Sequence, residues 1–274
     1  MSAARRRFAE LASGPDDHIN LAEAALLIAQ EEYPGLDITV YLRRLDELAE
    51  AAGKAVGLRH APVEQIARLN HFLFVDCGFA GNSENYYDPR NSFLNDVLDR
   101  RTGIPISLGL VYSEVAQRLD LPVYGVSFPG HFLAKYIGER EIIIDPFFGT
   151  VITTEECAQR LRGIYGDDAE LDSRLLRPAT AREILERMLS NLKQVYVQQS
   201  DFVRALACVD RILLIAPDTP RELRDRGILY QRLECFAAAL HDFERYLRLA
   251  PDDDAAHLIR DLLPELQRQA AQLQ

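Results

Sequence analysis

Basic charge is scarce in this 274-residue sequence: 31 lysines and arginines face 42 acidic side chains, for a formal net charge of −11. A surface of that sign repels phosphate backbones and anionic lipid, which argues against non-specific nucleic-acid binding and electrostatic attachment to a membrane. The single basic run, Arg5-Arg6-Arg7, is short and reads as a solvated end. Long apolar runs are also missing, so no segment is suited to span a bilayer. Residues 1–14 lack the apolar centre of a signal peptide. The four cysteines, Cys77, Cys157, Cys208 and Cys235, form no Cys-x-x-Cys pair. Scattered thiols without an export signal point to a cytoplasmic protein with reduced cysteines, not to a zinc site or a disulfide framework. Neither metal-ligand spacing nor a phosphate loop is found, and no cofactor is expected.

Hydrophobic residues at 48% and charged residues at 27% are globular proportions, enough for a sizeable core. Apolar residues at helical spacing predict helices over 19–32, over 41–52 with Gly53 as C-cap, and over 63–75 ended by Gly78. A polar loop, 81–90, leads to a short helix with Ser92 as its N-cap. Gly103-Ile104-Pro105 then opens a helix from about Ser107 to Leu119. Three β-like runs follow at 123–128, 131–137 and 141–145, separated by the turn residues Pro129-Gly130 and Gly138-Glu139-Arg140. Connections that short predict an antiparallel meander. Thr154 is placed to cap a helix through Leu161. The expected architecture is α+β over 1–165, followed by an α-helical region over 180–274.

That second region contains an internal repeat. Asp201-Phe202, Ala205-Leu206, Arg211, Leu213 and Ala216-Pro217-Asp218 recur as Cys235-Phe236, Ala239-Leu240, Arg245, Leu247 and Ala250-Pro251-Asp252. The offset is 34 residues, and Tyr196 and Tyr230 obey it too. This is the tetratricopeptide period, with a small residue where helices cross and proline ending the second helix. Gly227 fills a small-residue position that the first copy gives to Lys193. Two copies are fewer than such arrays need for stability, so they should lean on the core or on a capping helix within 257–269. Repeats of this kind imply a protein partner.

One constellation could carry chemistry. Ser107 stands at a predicted helix start, His131 heads a strand, and Asp145 ends the next strand. A helix N-terminus favours negative charge, an imidazole accepts a proton, and a carboxylate holds its tautomer. Each residue also has a structural reading: Ser107 as a first-turn cap, His131 as a partner of local backbone, Asp145 as an Asx turn before Pro146. Cys77 is the other candidate nucleophile, but it falls at a helix C-terminus beside Asp76, and both raise a thiol's pKa. Cys157, Cys208 and Cys235 sit in apolar helical patterns and read as core. His71, on a mostly apolar helix, reads as a satisfied structural histidine, and Asp252-Asp253-Asp254 as a helix start.

Several of these segments resemble a known family. They are Arg100-Arg101-Thr102-Gly103-Ile104-Pro105-Ile106-Ser107, Leu121-Pro122-Val123-Tyr124-Gly125-Val126, Phe128-Pro129-Gly130-His131-Phe132-Leu133 and Ile144-Asp145-Pro146-Phe147. With Asn85-Tyr86-Tyr87-Asp88-Pro89 and the repeats, they resemble the SirB family over nearly the whole chain. Its members are bacterial proteins with a transglutaminase-like core and C-terminal tetratricopeptide repeats, named as regulators of an invasion-gene activator. The resemblance implies a papain/transglutaminase-like core in which His131 and Asp145 occupy superfamily positions. Ser107 stands where that superfamily would place cysteine. A serine hydroxyl does not ionise near neutral pH and needs a true general base and an oxyanion hole. A cysteine introduced at position 107 is expected to react faster than Cys77. Pro105-Ile106-Ser107-Leu108-Gly109 keeps only the second glycine of the G-x-S-x-G elbow.

Two functional readings stay open. One is a binding or regulatory protein with a degenerate core, recruiting a protein partner through its repeats. The other is a serine-dependent hydrolase or acyltransferase using Ser107, His131 and Asp145 on an amide or ester.

Overall fold

Three capping side chains decide where the first helices begin. Ser2 accepts from Arg5 N to start α1 (Ala3–Ser13), Asn20 from Glu23 N to start α2 (Leu21–Glu32), and Asp37 from Thr39 N to start α3 (Ile38–Val56). Each oxygen satisfies a backbone donor that the helix cannot pair internally. The computed structural model describes residues 2–57 and 60–272. In it α3 runs past Gly53, which does not cap the helix. The missing Cβ of Gly53 leaves room for Leu119, and the chain leaves the helix only at Gly57, with φ +68°. Helix α4 (Pro62–Asn70) starts on its proline and passes into a π-helical turn, His71–Asp76, before Gly78. Ser92 closes a short 3-10 turn and does not cap α5 (Leu94–Arg100), whose N-cap is Phe93.

Helix α6 (Pro105–Arg118) begins on Pro105, two residues ahead of the expectation, and is buried on nearly every face from Pro105 to Ala116. A helix that apolar all round belongs in the middle of a core. It packs there with Leu26, Leu45, Leu69 and Leu94 from the surrounding helices, with Ile144 from the sheet and with Phe132 from the segment just ahead of one of its strands. A two-residue strand, β1 (Ala80–Gly81), pairs in parallel with β2 (Thr102–Gly103) just ahead of α6.

The main sheet is an antiparallel meander of β3 (Val123–Val126), β4 (Leu133–Ile137), β5 (Glu141–Asp145) and β6 (Thr150–Ile152), in chain order. The predicted strands at 123–128 and 131–137 are trimmed to four and five residues, so His131 precedes β4. Strand β6 was not foreseen, because three residues are too few to show a period. Thr153, not Thr154, caps α7 (Thr154–Tyr165), in a capping box with Glu156.

The chain divides into two compact units between Met188 and Leu189, within α8 (Ala181–Gln198). The second unit continues through α9 (Phe202–Ile215), α10 (Pro220–Arg232), α11 (Phe236–Leu249) and α12 (Ala256–Gln272). Its two repeats solve one packing problem in two ways. At Gly227 a Cβ would lie 2.5 Å from the Phe243 ring, so the glycine lets α10 and α11 approach closely. The first copy has Lys193 instead, buried with its ammonium 2.8–2.9 Å from Glu222 and 2.8 Å from Asp225. Helix α12 buries Ala256, Ile259 and Leu266 and packs on α11. Cys157 and Cys208 are buried, but Cys235 is exposed, because it takes the N-cap position that Asp201 holds in the first copy. His71 is likewise out in solvent, its side chain 65% exposed and 3.5 Å from Asp76. Among the described residues no helix is long and apolar enough to cross a membrane.

Candidate functional site

Antiparallel pairing of β4 with β5 brings the head of one strand beside the tail of the other. Ala134 faces Ile144, so His131 comes within reach of Asp145 across the same ladder. The approach to His131 is a tight turn in which His131 N–H donates to Phe128 O at 3.2 Å. Pro129 followed by Gly130 at φ +66° is the residue order that a type II turn requires. Arg187 of α8 holds this turn. Its guanidinium donates to Ser127 Oγ at 2.8 Å, Phe128 O at 2.8 Å and His131 O at 2.7 Å. Burial pulls the Arg187 pKa down from its ordinary value.

His131 Nε2 lies 3.0 Å from Asp145 Oδ1. The same oxygen accepts from Phe147 N–H at 3.0 Å, and Oδ2 forms an ion pair with Arg160 at 2.6 Å. Burial pushes the Asp145 carboxyl up, but the His131 hydrogen bond and charge, with Arg160, outweigh it and hold the pKa below the ordinary value. Asp145 is therefore a fully buried carboxylate. Because a carboxylate can only accept, Nε2 is the donor in this contact, and Nδ1 makes no hydrogen bond among the described residues.

Aromatic side chains surround the imidazole. Phe148 stacks on it at 6.5 Å and Phe147 meets it edge-on at 6.4 Å. Phe147 in turn contacts Tyr86 at 6.1 Å and lies over Gly81, where a Cβ would come within 2.5 Å of its ring. Phe148, Tyr87 and Tyr86 remain 65%, 53% and 40% exposed, so the rim is open to solvent.

Ser107 is in the first turn of α6, but its hydroxyl bonds to the backbone. Its proton goes to Asn91 O at 2.6 Å, with Ile104 O at 3.1 Å, while its oxygen accepts from Ile104 N–H at 3.1 Å. The side chain is 0% exposed, and none of its hydrogen bonds reaches His131. Asn91 carries the contact onward: its amide donates to Asn85 O at 2.8 Å and Tyr86 O at 3.2 Å, and its side-chain oxygen accepts from Asn82 at 3.1 Å. The geometry thus joins His131 to Asp145 and joins Ser107 to the loop that presents Tyr86. Arg160, Arg187 and Asn91 escaped the sequence reading. Only Asn91 had a signal, in its closeness to Asn85-Tyr86-Tyr87-Asp88-Pro89.

Cys77 ends the π-helical turn, half-buried. Burial pushes its thiol up, Arg101 opposes, and Asp76 adds to the rise. Its carbonyl accepts from Arg101 at 2.7 Å. No group of histidine, cysteine and acidic side chains among the described residues is arranged to hold a metal ion.

Comparison with known proteins agrees with this two-part layout. The profile of the transglutaminase-like superfamily matches residues 39–190, and that of the tetratricopeptide repeat matches 192–264. A UPF0162 protein of Xylella fastidiosa (strain Temecula1) is 40% identical over 267 residues, covering 96% of this chain and 95% of the relative. One from Vibrio cholerae is 35% identical, covering 89% and 91%, and the UPF0162 protein YchA of Escherichia coli K12 is 30% identical, covering 88% and 90%. The superfamily profile spans more than half of the chain and these relatives nearly all of it: the chain belongs to the UPF0162 family and carries a transglutaminase-like core.

Proposed function

We propose that this protein binds and regulates rather than catalyses: its transglutaminase-like core retains the His131–Asp145 pair without a working nucleophile, and its repeats recruit a protein partner. The observation that carries this reading is the Ser107 hydroxyl, fully buried and bonded to Ile104 N–H and Asn91 O. A nucleophile needs its oxygen free to face the base, and this one holds two backbone segments together. Ser107 is then a structural residue whose work is to tie the Tyr86 loop to α6. The relation to the SirB family, whose members are named as regulators, belongs to the same proposal. So does a cytoplasmic location, supported by four cysteines none of which forms a disulfide among the described residues.

The intact His131–Asp145 bond is what favours the second reading, a hydrolase or acyltransferase acting on an amide or ester through Ser107, His131 and Asp145. A fluorophosphonate probe separates the two. The expected result is no labelling of the native protein above that of Ser107→Ala. Stoichiometric adduct formation at Ser107, abolished in the variant, would overturn the binding reading in favour of the enzyme.

A further inference from the structure

Helix α10 carries four arginines, and they divide into two kinds. Arg226 is held between Asp242, at 2.6 and 2.8 Å, and Asp210, at 3.1 Å. Arg224 pairs with Asp225 at 3.2 Å and reaches Asp253 at 3.9 Å. Arg221 and Arg232 are exposed and make no hydrogen bond or ion pair among the described residues. They are eleven residues apart, three helical turns, so they lie on one face about 16 Å from each other. Ile228, 38% exposed, lies between them on that face.

That face lines a cleft of about 770 Å³ whose other wall is the second half of α8. Across the cleft stand Asn191 and Gln194, two amides able to bond a peptide backbone, and Val197, 44% exposed. Lys193 also borders the cleft, but its charge is met by Glu222 and Asp225. The charges left without a partner in the cleft are therefore the two arginines, in a chain whose net charge is −11. A site of that sign, on a surface that otherwise repels acids, selects its ligand by complementarity.

We infer that this cleft binds an extended acidic segment of a partner protein, with two carboxylates flanking an apolar side chain. The inference rests on the partner-binding reading of the repeats and gives that partner its chemistry. In extended chain, residues i, i+2 and i+4 share a side, and the outer two stand about 13 Å apart. The reach of two arginine side chains covers the difference from 16 Å. An acidic–x–apolar–x–acidic pattern would place its carboxylates on Arg221 and Arg232 and its apolar side chain on Ile228 and Val197. Guanidinium–carboxylate pairing supplies the selectivity, and the amides of Asn191 and Gln194 hold the backbone.

The test uses the full chain and a fluorescein-labelled pentapeptide, Glu-Ser-Leu-Ser-Glu, with Lys-Ser-Leu-Ser-Lys as the charge-reversed control. Fluorescence anisotropy should show the acidic probe binding at least about tenfold more tightly than the control, and weakening as salt rises from 50 to 300 mM. Arg221→Glu/Arg232→Glu should lose at least about tenfold in affinity for the acidic probe, with an unchanged circular dichroism melt because both side chains are exposed. Ile228→Ser should weaken the probe while keeping its salt dependence, because it removes the apolar contact and leaves the charges in place. Equal binding of both peptides, or acidic-probe binding untouched by the double variant, would overturn the charge assignment. If the basic peptide binds instead, the repeats still recruit a partner and only its chemistry is wrong. Light scattering covers a second copy of this chain: self-association lost in the double variant would make that copy the occupant and overturn the partner assignment.

Discussion

His131–Asp145 and Ser107 stood together as one constellation in the sequence, yet the folded chain holds them by opposite means. Asp145 bonds an imidazole and pairs with a guanidinium, so its contacts depend on charge and on pH. Ser107 bonds three backbone groups, so its contacts are neutral and local. A catalytic hydroxyl has to couple to the titrating group beside it, and here the hydrogen bonds of each go elsewhere. The first pair is built to hold a charge in the core, and the second residue to join one loop to one helix.

The largest expected effect lies on the charged side. Asp145→Ala would leave Arg160 without its carboxylate and Phe147 N–H without an acceptor. Breaking such a pair costs about 3–5 kcal/mol when both partners are buried. Arg160 is 30% exposed, so a loss of about 2–4 kcal/mol is expected from urea unfolding. Asp145→Asn keeps an oxygen for Phe147 N–H and should lose about half as much. A loss below about 0.5 kcal/mol for the alanine variant would mean that the pair is solvated in solution, and the contrast with Ser107 would fail.

Ser107→Ala comes next. It removes the acceptor from Ile104 N–H and the donor from Asn91 O, both buried, with an expected loss of about 1–3 kcal/mol. Hydrogen exchange should quicken over residues 85–91, because Asn91 anchors that loop. If stability is unchanged and exchange at 85–91 does not move, Ser107 is not the tie described above.

Acid should act on one side of the comparison only. The folded Asp145 carboxyl titrates below the unfolded value near pH 3.9. Its contribution to stability is therefore complete above about pH 5 and is lost as pH falls through the lowered folded value. The gap in unfolding free energy between wild type and Asp145→Asn should narrow as pH falls from 5 to 3, by at most about 1 kcal/mol. The gap between wild type and Ser107→Ala should stay constant over that range, since nothing in the serine's contacts titrates there.

Much of this was legible in the residues. Pro129-Gly130 and the β-like runs around it foretold the meander, and an antiparallel meander already sets the head of one strand beside the tail of the next. That is why His131 and Asp145 could be paired on paper. Gly53 misled because a helix tolerates glycine where a neighbour such as Leu119 packs against it, and no local pattern records that neighbour. Arg160 and Arg187 were invisible for a related reason: they arrive from α7 and α8 by tertiary packing, at no characteristic spacing. Ser107 was placed correctly along α6, and of its two readings the first-turn hydroxyl is the one its hydrogen bonds match. A first-turn side chain leans back toward the helix N-terminus, and there it met Ile104 and Asn91 before it could meet anything across the sheet.

The smallest expected effect is a reaction that should scarcely occur. From sequence, a cysteine at position 107 ought to outreact Cys77, because a helix N-terminus and a nearby imidazole lower a thiol's pKa. The structure reverses the order. Position 107 is 0% exposed, and its side chain is enclosed so tightly that a Cβ on Gly103 would come within 2.6 Å of Ser107 Oγ. Iodoacetamide needs access as well as a thiolate, and a buried sulfur offers neither. In Ser107→Cys, peptide mapping after native alkylation should find Cys235 modified first, since it is exposed. Half-buried Cys77 should follow, slowed by the burial and the Asp76 charge that raise its pKa. Cys157, Cys208 and position 107 should lag Cys77 by at least about tenfold. The comparison holds only while the variant's circular dichroism matches wild type, which the same samples report. Alkylation at 107 ahead of Cys77 in a folded variant would mean that the α6 N-terminus opens toward His131 in solution. The two halves of the constellation would then have to be rejoined as one site.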